Sequence, residues 1–231
     1  MSLEPSPRAR VAFRAGRTIV EVFRLAQLEA VVRMLEEHEC DFVDALGRDL
    51  HKVSDEATVV SELILVKNEA LHAINNLKKW MQPQHVERNL STTLDECLVF
   101  SEPLGVVLIV GTWCNPVQTC LVPLVGAIAA GNCAVISPCE CTAHTAELLH
   151  RLIPFYLDNV SNDEVEKVVE LKFDHVFFTG NREEGSRIAT AAARTLTPVT
   201  LVLGGKNPCY VDQHCDISTT IFCSTVQNKL V

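Results

Sequence analysis

The chain has 231 residues, of which 48% are hydrophobic and 21% are charged, which is enough for one or two domains with a buried core. The net charge of −9 argues against nucleic acid or an anionic membrane as the main partner. No apolar run approaches the roughly 20 residues of a membrane span. The ten cysteines could form disulfides, but the N-terminus has no apolar signal segment, so we expect reduced thiols in a cytoplasmic protein.

The N-terminal part of the chain is predicted to be helical. Apolar residues recur at three- and four-residue spacings over residues 8–50, which indicates two helices, and again over Glu56–Met81, which indicates a third. Residues 84–101 are predicted to be extended, with Cys97–Phe100 as a strand. We expect the helices to pack against a sheet formed by the later part of the chain.

A strand, a helix and a second strand are predicted between residues 102 and 140. The run GVVLIV (Gly105–Val110) is apolar and rich in β-branched residues, which is typical of a strand buried on both faces. Pro116 suits the first turn of a helix that continues through an apolar stretch to Ala130. The run CAVI from Cys133 is a second buried strand. This order predicts a right-handed unit of two parallel strands and a crossover helix, with ligands at the carboxyl ends of the strands.

The rest of the chain continues the alternation of helices and strands. The further predicted elements are helices at Thr142–Leu157, Val165–Leu171, Arg187–Arg194 and from Ile217, and strands at His175–Phe178, Val199–Leu203 and Tyr210-Val211. Alternating strands and helices predict an α/β fold, a Rossmann-like parallel sheet with an N-terminal helical layer.

Longer motifs accompany these elements. The central unit contains EPLGVVLIVGTW and LVPLVGAIAAGNC, Phe177–Gly180 reads FFTG, and Leu196–Asp212 reads LTPVTLVLGGKNPCYVD. FRAGRT (Phe13–Thr18) and DLHK (Asp49–Lys52) precede them. Together these motifs resemble the aldehyde dehydrogenase family, most of all its class 3 branch, in order along nearly all of the chain. The resemblance implies NAD(P)-dependent oxidation of aldehydes to carboxylic acids through a thiohemiacetal on a cysteine.

The resemblance also divides the chain into parts. Residues 1–100 would form N-terminal helices and the start of the dimerisation strands, residues 101–212 an incomplete Rossmann-like nucleotide-binding domain, and residues 213–231 the beginning of a catalytic domain. Relatives have a further apolar strand before the next helix, and none can be read over Asp158–Asp163. We therefore expect a truncated aldehyde dehydrogenase fold.

The positions that would carry catalysis are changed. Relatives have their nucleophilic cysteine in a Gly-Gln-Thr-Cys run beyond the point where this sequence ends. In relatives an asparagine directly follows the tryptophan and donates to the developing oxyanion, whereas here the order is Trp113-Cys114-Asn115-Pro116. Val202 replaces the general-base glutamate of the Glu-Leu-Gly-Gly motif and cannot transfer a proton. Cys114 is the alternative nucleophile, because it lies at a strand end in the expected cleft, but we predict no catalysis by this chain.

An NAD or NADP site is implied at the strand ends. The matching positions are Trp113, Ser137, Glu140, Gly180 and Gly185. Ser137 stands where relatives have a lysine that contacts the adenosine ribose, while Glu140 is retained. Gly180 and Gly185 keep the spacing of the phosphate loop. We expect these positions to hold the cofactor weakly, if at all.

Two acidic residues lie in the first turn of the helix that would meet the cofactor phosphates. A helix N-terminus attracts phosphate through its free N–H groups and its dipole. Glu183 and Glu184 suit the dipole but would repel a pyrophosphate, which Arg182 would offset in part.

A cluster of sulfur and imidazole groups offers a different kind of site. Cys139, Cys141 and His144 form a C-x-C-x-x-H pattern, with His150 six residues further on, and such ligands can bind zinc. No second cysteine pair stands at the usual spacing, and the pattern is also explained by cysteines in place of loop serines. We predict no metal site and keep zinc as the alternative.

Two functions remain open at this point. The first is a degenerate family member without aldehyde oxidation. The second is an interaction module that pairs with itself or with a full-length aldehyde dehydrogenase relative through its N-terminal surface.

Overall fold

The computed structural model describes residues 7–50, 55–87, 95–158 and 172–205. The helices are α1 (Pro7–Arg14), α2 (Glu21–Glu37), α3 (Glu39–Leu50), α4 (Asp55–Thr58), α5 (Leu65–Trp80), α6 (Pro116–Ala130), α7 (Ala143–Tyr156) and α8 (Arg182–Ala193). The strands are β1 (Gln84–His85), β2 (Leu98–Val99), β3 (Val106–Val110), β4 (Cys133–Ser137), β5 (His175–Gly180) and β6 (Val199–Leu203). None of the helices in these ranges is long and apolar enough to cross a membrane.

The N-terminal layer differs from its prediction in where the helices break. The prediction of two helices over residues 8–50 was wrong, because α1, α2 and α3 occupy this range. Gly16 adopts a left-handed conformation with φ of 73°, which ends α1 and leads into a short 3₁₀ turn at Arg17–Ile19. The predicted helix over Glu56–Met81 is present, but its Val59–Ile64 segment is wound as a π-helix between α4 and α5.

A four-stranded parallel sheet forms the centre of the molecule. Its strand order is β4-β3-β5-β6, and β3, α6 and β4 form the predicted crossover unit. Gly131 ends α6, at the predicted Ala130, in a left-handed conformation with φ of 85°. The predicted strand at Cys97–Phe100 is the shorter β2, which pairs antiparallel with β1 in a separate two-stranded sheet.

The two faces of the parallel sheet are covered unequally. Val107 and Ile109 of β3 face a large core formed with α2, α3, α5, α6 and α7. Val106 and Leu108 face a smaller core on the other side, which contains Ile188 of α8 and a residue of α1. The prediction that β3 is buried on both faces is therefore confirmed.

Several predicted elements lie outside the described residues. These are the helix at Val165–Leu171, the strand at Tyr210-Val211, the helix from Ile217 and nearly all of the stretch in which no third strand could be read. Residues 213–231 lie outside them as well.

Candidate functional site

The four parallel strands end at one edge of the sheet, and the predicted site residues lie there. In the register, Val110 is opposite Ser137 and Gly180 is opposite Leu203. The N–H of Gly111 donates to the Ser137 carbonyl at 3.0 Å, which joins the ends of β3 and β4. The loop after β3, Ser137, Gly180 and Val202 therefore lie along this edge of the sheet.

The loop after β3 is held by the first turn of α6. The Thr119 hydroxyl accepts from the Thr112 N–H at 3.1 Å and donates to the Asn115 carbonyl at 2.8 Å. Gly111 has no room for a side chain, because a β-carbon there would lie 2.4 Å from the Cys120 sulfur. Asn115 is the residue before α6, and its side chain makes no capping hydrogen bond.

A buried carboxylate binds the first turn of α6, next to this loop. Glu62, in the π-helical segment, has a fully buried side chain, and its Oε2 accepts from the Gln118 N–H at 3.1 Å. An anion is favoured at the N-terminus of a helix such as α6, where N–H groups have no partner within the helix. Sequence reasoning missed Glu62, although a lone acid within the apolar run VVSELILV was a usable signal.

A second carboxylate fixes the segment after β4. The Asp49 side chain, which is 3% exposed, accepts from the N–H groups of His144 and Thr145 at 3.1 and 2.8 Å and from the Thr145 hydroxyl at 2.7 Å. Burial raises the pKa of Asp49, but these hydrogen bonds stabilise the carboxylate more strongly, and the net pKa lies below its ordinary value. The structure assigns this capping role to an aspartate that the sequence marked only as part of a family motif.

The zinc alternative gains no support from this arrangement. The His144 Nδ1 lies 2.9 Å from the Asp49 carboxylate. Over the ranges that the structure describes, no three His, Cys, Asp or Glu side chains are grouped as a metal site would need.

The end of β5 leads into α8 through a tight contact. A β-carbon on Gly180 would lie 2.6 Å from the Phe178 ring, and one on Gly185 would lie 2.8 Å from a Leu203 methyl group. Gly185 therefore lets α8 pack closely on β5 and β6, and Gly180 leaves room for the Phe178 ring of its own strand. These contacts account for both glycines without a bound phosphate. Their predicted role in cofactor binding stays a prediction.

The N-terminus of α8 is capped from within its own segment. The Asn181 Oδ1 accepts from the Glu184 N–H at 2.8 Å, so one of the free N–H groups is already used. Glu183 and Glu184 are both exposed. Burial raises the pKa of the Cys139 thiol, and the Glu184 carboxylate raises it slightly further.

The remaining side chains at the edge are poor groups for acid–base or nucleophilic chemistry. Val202 pairs with Thr179, and 45% of its surface is exposed at the edge of the sheet. Burial raises the pKa of Cys120, whose sulfur lies beside Gly111 in the loop after β3, to about 12. A thiol with a raised pKa supplies little of the thiolate that acts as a nucleophile.

Comparison with known proteins identifies the fold and the sequence class. The model of the aldehyde dehydrogenase family matches residues 6–228. The chain is 48% identical over 217 residues to the dimeric NADP-preferring aldehyde dehydrogenase of Canis lupus familiaris, covering 91% of this chain and 48% of that protein. It is 45% identical over 219 residues to human aldehyde dehydrogenase family 3 member B1, covering 92% of this chain and 47% of that protein.

Solved structures agree with the sequence matches. AldH of Staphylococcus aureus, in a substrate-bound state, superposes with a TM-score of 0.82 at 33% identity, covering 91% of this chain and 47% of that one. The NAD⁺ complex of a Bacillus cereus aldehyde dehydrogenase, at 20% identity and a TM-score of 0.74, has the same fold over 93% of this chain and 45% of its own length. The chain thus spans about half the length of the relatives that it matches. It belongs to the aldehyde dehydrogenase family and groups with the class 3 branch.

Proposed function

We propose that this chain is a non-catalytic member of the family, which does not itself oxidise aldehydes. The observation that carries the proposal is Val202 at the carboxyl edge of the sheet, where the family resemblance implies a glutamate as general base. A hydrocarbon side chain cannot accept a proton, and 45% of its surface is exposed rather than buried in a core.

The loop after β3 supports the same proposal. The resemblance implies an amide donor for the oxyanion at the position of Cys114, and a thiol is a weak donor. Asn115, which carries an amide, is the residue before α6, and its carbonyl accepts from the Thr119 hydroxyl and N–H groups. Loss of one oxyanion donor reduces the rate by about 10²–10³.

The residues at the implied cofactor site fit a dinucleotide poorly. Ser137 brings neither the reach nor the charge of a lysine to the end of β4. The start of α8 carries two exposed carboxylates, Glu183 and Glu184, and one guanidinium, that of Arg182. The Glu184 N–H already donates to the Asn181 side chain. We therefore assign no step of a reaction to NAD or NADP in this chain.

The activity of the purified 231-residue chain tests the proposal. We expect no NAD(P)H production above the blank with medium-chain or aromatic aldehydes, beside a full-length class 3 relative as positive control. Calorimetry with NAD⁺ is expected to give no micromolar dissociation constant. Turnover that Cys114→Ala abolished would overturn the proposal and identify Cys114 as the nucleophile.

A second candidate function is an interaction module that pairs with a full-length class 3 relative. Three apolar side chains around the small β1–β2 sheet are exposed by about half or more: Val86 at 47%, Val99 at 52% and Phe100 at 62%. Apolar groups clustered on a surface favour protein association, and the resemblance implies that this region contributes to dimer contact.

Co-purification with a tagged full-length relative tests this second function. We expect Phe100→Ser to weaken the association, because it removes the most exposed apolar side chain of the cluster. Phe155→Ser is the matched control, since Phe155 is 79% exposed on α7, outside the cluster. An insoluble chain that never binds the relative, or equal loss of binding by both variants, would contradict it.

A further inference from the structure

The turn between β4 and α7 contains two cysteines, Cys139 and Cys141, with one residue between them. The Thr142 N–H donates to the Cys139 carbonyl at 3.2 Å, and the Thr142 hydroxyl donates to the same oxygen at 3.1 Å. These bonds close a β-turn in which Cys139 is the first residue and Cys141 the third. The chain reverses here, so the two cysteines are closer together than the about 7 Å that separates alternate residues in an extended chain.

The two cysteines influence each other within this turn. Burial raises the pKa of Cys139, the Cys141 N–H lowers it, and the Cys141 thiol raises it. Both thiols are reduced in the structure, with Cys139 half-buried and Cys141 exposed. A disulfide requires Cα atoms roughly 4.4–6.8 Å apart, and the reversal of the chain brings the first and third residues of this turn toward that range.

We propose that Cys139 and Cys141 are a redox modification site, a vicinal dithiol that hydroperoxides oxidise to an intramolecular disulfide. The site is independent of the proposed function, because it needs neither a bound dinucleotide nor turnover. It also differs from the zinc alternative, since it uses the two sulfurs alone and leaves the His144 Nδ1 with Asp49.

The two thiols take different parts in the reaction. Cys141 is the exposed thiol, and it attacks the peroxide: its sulfur gains one oxygen, the O–O bond breaks, and an alcohol or water leaves. Burial raises the pKa of Cys139, so this thiol is not the first to react. Its sulfur then attacks the sulfenic acid, the S–S bond forms, the S–O bond breaks, and water leaves. In sum, two thiols lose two electrons and two protons to one hydroperoxide.

The chain offers a direct readout, because Glu140 lies between the two cysteines. The folded 231-residue chain is treated with hydrogen peroxide, its remaining thiols are alkylated, and the protein is cleaved on the carboxyl side of glutamate. Cleavage after Glu140 and Glu147 releases a peptide, Cys141–Glu147, in which Cys141 is the single cysteine. We expect this peptide to stay joined to the peptide that ends at Glu140 until a reductant is added.

Three variants decide the assignment. Cys139→Ser is expected to abolish the joined species and to leave a Cys141 sulfenic acid that a dimedone-type reagent traps. Cys40→Ser, which removes an exposed cysteine on α3, is the matched control and is expected to behave like the parent chain. In both proteins the oxidised sample should have two fewer alkylated thiols than the untreated sample. Cys141→Ser leaves only the slower thiol, Cys139, and is expected to slow the first oxidation at this turn at least several-fold. A free Cys141–Glu147 peptide in the oxidised parent chain, or a joined one that persists in Cys139→Ser, would overturn the proposal.

Discussion

The helices on the two faces of the parallel sheet are capped in different ways. On the heavily covered face, α6 and α7 make no capping bond with the side chain before them, and each receives a carboxylate from the N-terminal layer instead. On the thin face, α8 is capped by its own Asn181. The N-terminal layer therefore does more than cover the sheet, because it supplies charged caps to α6 and α7 at the carboxyl edge.

This difference has a consequence for stability. A cap that comes from a distant segment joins two parts of the chain, so its loss frees N–H groups and weakens the contact between those parts. A local cap stabilises only its own helix end. We expect the loss of a distant cap to destabilise the protein more than the loss of the local one.

The largest effect is expected for Asp49→Ala, which removes the acceptor of hydrogen bonds from His144 and Thr145. Hydrogen bonds to charged groups are worth about 1.5–3 kcal/mol, so we expect a loss of about 3 kcal/mol in the free energy of unfolding, measured by urea denaturation. The control is Asp44→Ala, whose ion pair with Arg48 is exposed on the same helix and contributes little. Equal losses in both variants would break the comparison.

The pH dependence of stability tests the role of Asp49 further. The pKa of Asp49 is lowered in the folded state, so its stabilising effect is complete above the unfolded-state pKa of about 4 and is lost as the pH falls through the folded-state pKa. The stability difference between the parent chain and Asp49→Asn should be constant above about pH 5 and should shrink below about pH 4. A difference that grows on acidification would contradict this sign.

A smaller effect is expected for Glu62→Ala. The change removes the carboxylate that accepts from the half-buried Gln118 N–H, and a buried donor left without an acceptor costs about 1–3 kcal/mol. We expect a loss of about 2 kcal/mol, with recovery of part of it in Glu62→Gln, because the amide oxygen can still accept. Glu56→Ala, an exposed acid on α4, is the control and should change stability by less than about 0.5 kcal/mol.

The smallest effect is expected for Asn181→Ala at the start of α8. Removal of a local N-cap costs about 1 kcal/mol, and Asn181→Asp should restore it, since aspartate caps equally well. Ser186→Ala on the exposed part of α8 is the matched control. A thermal melt in which Asn181→Ala was as damaging as Asp49→Ala would show that local and distant caps do not differ here.

The contrast between local and distant contacts also explains which features the sequence could predict. Local signals were sufficient for β3, α6, β4 and β6, because apolar runs, Pro116 and Gly131 act within a few residues. The two predictions for α8 disagreed: the alanine-rich pattern gave a start at Arg187, whereas Glu183 and Glu184 were assigned to the first turn. The structure agrees with the second, since α8 begins at Arg182, directly after the capping Asn181. The first prediction failed there through choice of boundary and not through lack of information.

Other features depend on contacts that a sequence does not display. The partner of Glu62 lies 56 residues away and that of Asp49 lies about 95 residues away, so no short-range pattern reveals either cap. The sequence did predict that the strand ends share one edge, because the carboxyl ends of parallel strands lie at the same edge of a sheet. The close packing of Gly180 and Gly185 needed the positions of Phe178 and Leu203, and without them the glycines resembled a phosphate loop.

The distance between Asp49 and Thr145 also bears on how the protein is made. Thr145 is 96 residues downstream, and at translation rates of roughly 5–20 residues per second it is synthesised roughly 5–20 s after Asp49. During that interval the carboxylate has no helix to cap, and it must stay hydrated while the first helices collapse around it. A nascent chain arrested before residue 143 should therefore expose the C-terminal end of α3 to proteases, and a chain released after residue 158 should protect it.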